Sequence, residues 1–184
     1  RYFLYSPVFT VLFAPFAYLP AWLGPFAWNL FNYSLFFMAI FTLPQQFTQQ
    51  QKCRMFLFLL LILGQSLLSF QYNITVAYLF LFAYTLLEKD RGFLAVLLIM
   101  ISGCTKVYGI FELALLLCYP HVWRNFGYAV TMGIVLLALP LIKIAPADLL
   151  PYYEEWCHSL AVHQSAGAYD SFFYARPIAA WTLP

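Results

Sequence analysis

Long stretches of this sequence carry no charged residue. Residues 2–51 contain no Asp, Glu, Lys, Arg or His, and neither do residues 55–87. A helix crosses the hydrocarbon core of a bilayer with about 20 apolar residues, so each stretch exceeds the length of one span. Only 9% of the residues are charged, against roughly 25% in soluble domains, which leaves too little polar surface for a water-soluble globule. The sequence therefore predicts an integral membrane protein.

Composition also excludes several other classes of protein. The net charge is +2 and no basic stripe is present, which argues against a nucleic-acid-binding protein. The four cysteines lie far apart without a C-x-x-C or Cys/His pairing, so we expect neither a metal site nor a disulfide framework. Phosphate-binding loops, dinucleotide fingerprints and Ser/His/Asp arrangements are also missing from the sequence, and we expect no cofactor.

Polar joints divide the chain into seven apolar arms that lack the period-two alternation of barrel strands. We expect an all-α, polytopic helix bundle that forms a single transmembrane domain over residues 1–184. The first, fifth and sixth arms are short for a span, which predicts re-entrant or half helices. The arms are Tyr5 to Leu19, Ala21 to Leu43, Met55 to about Ser69, Ile74 to Leu87, Gly92 to Thr105, Val107 to Tyr119 and Phe126 to Ile142.

The positive charges of the short joints set the expected orientation. Cytoplasmic joints are enriched in Lys and Arg, which places residues 52–54, 89–91 and Arg124 on the cytoplasmic side. Residues 146–170 then form an external loop region. Residues 5–19, which contain Pro7 and Pro15, fit a re-entrant or interfacial helix. In the alternative path these residues cross the bilayer, and the positive joints lie outside.

Two ionisable residues stand in apolar surroundings. Lys106 lies between two short arms, where a hairpin tip inside the membrane is expected. It either faces an anionic group such as a lipid phosphate or extends its stem to the outer interface. Glu112 follows on the return arm, and it is either a protonated or Lys-paired carboxylate that stabilises the bundle or a catalytic group.

Amides and a histidine supply further candidate residues on the external side. Gln71 and Asn73 occupy an external turn, where they either bind sugar hydroxyls or satisfy helix ends. His163 follows in what we expect to be a small-residue polar loop, where an imidazole suits acid/base work or phosphate binding. His158 is expected on a helix over residues 152–160.

Several short motifs, in order and spacing, resemble glycosyltransferase family 87. Its "YSP…AP…LP…W…N" opening is matched by residues 5–7, 14–20 and 28–32. The Q-x-N element is matched by residues 71–73, and the charged joint and K-x-[TY]-[PG] element by residues 88–91 and 106–109. Residues 163–165 are similar to the family's polar external loop. Gly109 stands where many relatives carry Pro.

This resemblance implies a GT-C-like membrane enzyme, related to polyprenol-phosphate-mannose-dependent mannosyltransferases. Such an enzyme moves a hexose, mannose by this resemblance, from a polyprenyl-phosphate donor to a lipid or glycan acceptor on the external face. Its partners are the lipid bilayer, the lipid-linked donor and the glycolipid or glycan acceptor, and its expected place is the bacterial cytoplasmic (inner) membrane. No metal is expected, and the acidic base is expected on a loop before Arg1, which makes this chain an internal fragment.

The same resemblance assigns roles to residues of this chain. His163 is the candidate catalytic residue, and either Lys106 or His163 is expected to contact the donor phosphate. The candidate substrate-binding residues are Tyr5, Ser6, Gln71, Asn73, Lys106, Tyr108 and Gln164.

Two other functions are compatible with the residues. A secondary transporter of a small polar or anionic solute also uses broken helices and intramembrane charges, although no second copy of the interruption at residues 103–109 is found. In a non-catalytic assembly subunit, Lys106 and Glu112 would merely pair.

Overall fold

The structure is a computed structural model that describes residues 5–68 and 72–165. The described residues form helices joined by short turns, with no strand among them, which confirms the predicted all-α class for this part of the chain. The α-helices are α1 (Pro7–Leu12), α2 (Ala14–Ala17), α3 (Leu23–Phe41), α4 (Gln49–Leu68), α5 (Asn73–Leu87), α6 (Gly92–Thr105), α7 (Val122–Ala138) and α8 (Pro146–Ser165); 3₁₀ helices cover Val107–Cys118 and Leu139–Ile142.

The helices follow the predicted arms with two differences. Helix α4 begins at Gln49, so residues 49–54 are the first turns of a helix and not a polar joint. Residues 146–165 form helix α8, which includes the helix expected over residues 152–160 and extends beyond it at both ends; the external position of this region stays a prediction. Proline is tolerated in the first turn of a helix, and Pro146 opens α8.

The length of each helix limits whether it can cross a membrane. Among the described residues, one continuous helical segment, Val122–Ile142, is both long and apolar enough to cross a membrane. The same part of the chain has three shorter apolar helices: Asn73–Leu87, Gly92–Thr105 and Val107–Cys118. The prediction that the chain crosses the bilayer several times stays a prediction.

Helix α6 and the 3₁₀ helix Val107–Cys118 form a hairpin with its tip at Lys106. The 14 residues of α6 rise about 21 Å at 1.5 Å per residue. The 12 residues of the 3₁₀ helix rise about 24 Å at roughly 2.0 Å per residue. The 3₁₀ helix is wound more tightly and rises further per residue, so a shorter segment returns over the full length of α6, as the predicted hairpin requires.

Glycine permits the two arms of this hairpin to meet. A Cβ at Gly109 would lie 2.5 Å from the Ser102 hydroxyl oxygen and 2.6 Å from its carbonyl carbon. At Gly103 a Cβ would lie 3.2 Å from the backbone nitrogen of Ile110. The hairpin thus closes through backbone contact near its tip, where a larger residue would hold the arms apart.

The three positively charged joints gather at one end of the molecule. Gln46 donates to the Tyr84 hydroxyl, the Tyr119 hydroxyl donates to Glu88 at 2.5 Å, and Arg124 lies 3.7 Å from Asp90. These contacts connect the α3–α4 joint, the α5–α6 turn and the segment before α7. The sequence placed these joints on one side of the membrane, and the structure places them at one end of the bundle.

Lys52 has a structural role at this end. Its side chain is 6% exposed, and its ammonium donates to the carbonyl oxygen of Leu43 at 2.6 Å and to that of Phe41 at 3.3 Å. The last carbonyls of a helix lack backbone partners and carry partial negative charge. Lys52 therefore caps the C-terminus of α3.

The opposite end is built on aromatic side chains. Phe9 of α1, Trp28 of α3 and Tyr72 are each 1% exposed or less, and Phe9 meets Tyr72 edge-to-face with ring centroids 5.2 Å apart. Such contacts add about 0.5–1.5 kcal/mol each beyond area burial. They hold the short helices α1 and α2 against α3 and the start of α5.

Helix α8 packs against α1 and the 3₁₀ helix Leu139–Ile142 that follows α7. The Tyr153 hydroxyl donates to the Leu137 carbonyl at 2.9 Å. Burial raises the pKa of Tyr153 to about 12, so the hydroxyl keeps its donor proton at neutral pH. The contact attaches α8 to the helix that precedes it.

The close approach at Gly109 yields a test of the hairpin. We expect Gly109→Ala to destabilise the detergent-solubilised protein by about 1–3 kcal/mol, because overpacking forces backbone to move. Thermal unfolding of both proteins measures the change. Gly127→Ala is the control, since nothing lies within 4 Å of a Cβ there; equal stability of the two variants would contradict the hairpin geometry.

Candidate functional site

The start of α5 and the end of α6 bring three predicted residues together. The Lys106 ammonium donates to the Asn73 side-chain oxygen at 2.6 Å. The Tyr108 hydroxyl donates to the same oxygen at 2.5 Å. The sequence placed Asn73 in one motif and Lys106 and Tyr108 in another, and the structure joins the two motifs through one shared acceptor. We call these three residues the Lys106 cluster.

Two tyrosine rings flank the ammonium. Lys106 Nζ lies 4.8 Å from the ring centroid of Tyr108 and 5.5 Å from that of Tyr5. A cation near an aromatic face is attracted by the ring quadrupole by about 0.5–2 kcal/mol. The Tyr5 hydroxyl accepts from the Tyr72 backbone N–H at 3.4 Å, which places Tyr5 beside the residue that precedes Asn73 in the chain.

Ser6, a candidate substrate-binding residue, contacts the C-terminal end of α6. It is fully buried, its hydroxyl donates to the Cys104 carbonyl, and its N–H donates to the Thr105 carbonyl at 3.3 Å. The last carbonyls of a helix need such external donors. Ser6 therefore caps α6 and fixes the backbone that carries Lys106, while its role in substrate binding stays a prediction.

The charge of Lys106 has neutral partners. Within residues 5–68 and 72–165, the ion pair of the structure joins Arg124 to Asp90 and not Lys106 to an acid. Glu112 binds the Ser102 hydroxyl at 2.8 Å, so the Lys106–Glu112 pair considered above does not form. A half-buried ammonium without a counter-charge is costly, and the site favours an anion.

The side chains of the remaining candidate residues are outside the described part of the structure. Gln71 is outside the described residues. His163 and Gln164 lie within α8, and their side chains are outside the described part of the structure. The predicted polar loop at His163 is therefore wrong for the backbone, which is helical because α8 continues to Ser165.

Sequence reasoning missed two residues that support the cluster. The hydroxyls of Tyr72 and Thr105 lie 2.9 Å apart, and both side chains are buried. Each is next in the chain to a cluster residue, Asn73 or Lys106. Their position next to a predicted site residue is the one feature of the sequence that points to them, but it does not show that the two hydroxyls meet.

The chain was compared with known families and proteins. The model of glycosyltransferase family 87 matches residues 3–180. The chain belongs to this family. No match was found among curated proteins or among solved structures.

Family membership gives the Lys106 cluster its chemical context. The family indicates a membrane glycosyltransferase, which acts on a sugar donor and an acceptor. Within the described residues, no group of three His, Cys, Asp or Glu side chains converges as a metal-ligand set. The cluster instead offers a cation, a phenol and aromatic faces, which suit an anionic, hydroxyl-rich ligand.

The capping role of Ser6 can be tested. We expect Ser6→Ala to lower the free energy of unfolding by about 1–3 kcal/mol, because it removes the donor to a buried carbonyl. Chemical unfolding in detergent measures this loss. Thr131→Ala is the matched control, since the Thr131 hydroxyl donates to the Gly127 carbonyl of its own helix on an exposed face. Equal effects of the two substitutions would remove Ser6 from this role.

Proposed function

We propose that this protein is a multi-pass glycosyltransferase of the bacterial cytoplasmic (inner) membrane. It transfers a hexose, mannose by the resemblance stated above, from a polyprenyl-phosphate donor to a glycolipid or glycan acceptor. The reaction takes place on the external face. The family supplies the activity class, and the donor, the sugar and the membrane are our proposal.

The Lys106 ammonium is the observation that carries this proposal. Transfer from a polyprenyl-phosphate sugar breaks the bond between the sugar and a phosphate oxygen, so negative charge grows on the leaving phosphate. A preorganised cation and hydrogen-bond donors aimed at that charge lower the barrier. Lys106 and Tyr108 supply both groups, and they meet at the Asn73 oxygen.

The proposed membrane orientation follows from the two ends of the bundle. The basic joints gather at one end, and positive residues favour the cytoplasmic side. The Lys106 cluster lies at the other ends of α5 and α6, since each helix has one end at the 88–91 turn. This arrangement supports an external cluster, and the short helices α1 and α2 suit a re-entrant segment.

The acceptor hydroxyl must also lose a proton. By the family resemblance, an acidic residue acts as the base that removes it. We therefore assign the described residues to the phosphate side of the reaction. The family match favours transfer over the transport function considered above.

Lys106→Ala tests the phosphate role in the full-length protein. We expect kcat/KM for transfer from polyprenyl-phosphate mannose to fall about 10- to 100-fold, because a charge-assisted hydrogen bond contributes roughly 1.5–3 kcal/mol. Lys89→Ala is the control, since Lys89 lies in the turn at the far ends of α5 and α6. Wild-type kinetics in Lys106→Ala would refute the proposed phosphate site.

Asn73→Asp tests the same site without removing the cation. Aspartate keeps the acceptor for Lys106 and Tyr108 and adds a negative charge, which competes with the donor phosphate. We expect the KM for the donor to rise while the melting temperature stays at or above that of wild type. A wild-type donor KM in Asn73→Asp would show that the ammonium does not meet the phosphate.

A further inference from the structure

Glu112 is a buried acid that the proposed reaction does not use. Its side chain is 8% exposed and lies on the 3₁₀ arm of the hairpin. One carboxyl oxygen accepts from the Ser102 hydroxyl at 2.8 Å. The other oxygen is buried and has no hydrogen-bond partner among the described residues.

An apolar side chain at position 112 would oppose folding less than the buried carboxyl group does. Buried polar groups that lack partners oppose folding, and replacing buried ionisable groups by apolar ones is often neutral or stabilising. Buried polar contacts can instead select one packing arrangement over others. The Ser102–Glu112 contact is therefore better explained as a means of fixing how the two arms pack than as a source of folding stability.

The contact connects the two arms directly below the hairpin tip. Ser102 lies four residues before Lys106, and Glu112 lies six residues after it. Between them, Gly109 approaches so closely that a Cβ would lie 2.7 Å from the Ser102 carbonyl oxygen. Ser102 thus meets the return arm twice, once through backbone and once through its hydroxyl.

The register of these arms decides where the cluster side chains point. Lys106 comes from the end of α6 and Tyr108 from the start of the 3₁₀ helix, and both reach the one Asn73 oxygen. The close contact at Gly109 sets the distance between the two arms, but it does not prevent the 3₁₀ arm from sliding along α6 or rotating about its own axis. Either movement would take Tyr108 away from that oxygen.

We propose that Glu112 is a positioning residue, which acts through Ser102 to hold the hairpin in the register that presents Lys106 and Tyr108 to the donor phosphate. This inference rests on the proposed function. Glu112 itself does not touch the donor, because both carboxyl oxygens are enclosed by the hairpin.

The test uses transfer from polyprenyl-phosphate mannose by the full-length protein. We expect Glu112→Leu and Ser102→Ala to raise the KM for the donor about fivefold or more, because each removes the contact. Glu112→Gln keeps an acceptor oxygen for Ser102 and should stay within about twofold of wild type. Glu155→Leu, a change at an exposed acid on α8, is the control and should leave the KM unchanged.

A combined variant separates positioning from a general structural role. If Glu112 acts through Lys106 and Tyr108, Glu112→Leu should change the donor KM less than twofold when Lys106 is already Ala and Tyr108 is already Phe. An equal loss in both backgrounds would overturn the inference, as would a Glu112→Gln variant as impaired as Glu112→Leu. Ser102→Ala deletes only one hydroxyl group. If Glu112→Leu fails to fold, the donor KM of Ser102→Ala tests the inference in its place.

The proposed phosphate site and this inference fail in different ways. A wild-type donor KM in Lys106→Ala refutes the phosphate site. A raised KM in Lys106→Ala together with wild-type values in Glu112→Leu and Ser102→Ala refutes the positioning role alone.

Discussion

The chain turns back at Lys106 because Gly109 has no side chain. A Cβ there would meet the Ser102 hydroxyl oxygen at 2.5 Å, so only glycine lets the 3₁₀ arm lie directly on α6. The hairpin then places Lys106 and Tyr108 on the same side of its tip. Asn73, at the start of the neighbouring helix, accepts a hydrogen bond from both.

The ends of the bundle are held by different kinds of interaction. At the basic end, ionic and polar contacts join Tyr119 to Glu88 and Arg124 to Asp90. At the other end, Phe9 and Tyr72 pack edge-to-face, and Ser6 caps the last carbonyls of α6. The cluster lies beside these packed rings. A cation that is already desolvated and surrounded by neutral groups needs little reorganisation to meet a phosphate.

Charge-free stretches and short polar joints were enough to predict the helical arms. Side-chain partners were harder to predict, because a pattern along the chain does not show which faces meet. Asn73, Lys106 and Tyr108 were expected in a site, yet their shared acceptor depends on the register of three segments. The 3₁₀ winding of Val107–Cys118, the cap by Ser6 and the Ser102–Glu112 contact depend on the same three-dimensional packing. Residues 146–165 were expected in an external loop region with a helix over residues 152–160, whereas helix α8 covers the whole stretch.

The accessibility of the Lys106 amine tests the central claim most directly. Lysines of the full-length protein are labelled with an amine-reactive reagent, with and without polyprenyl phosphate, and the modified positions are quantified by mass spectrometry. Our account predicts that polyprenyl phosphate protects Lys106 and leaves Lys89 unchanged, because the ammonium binds the phosphate. Equal labelling of Lys106 in both conditions would contradict it.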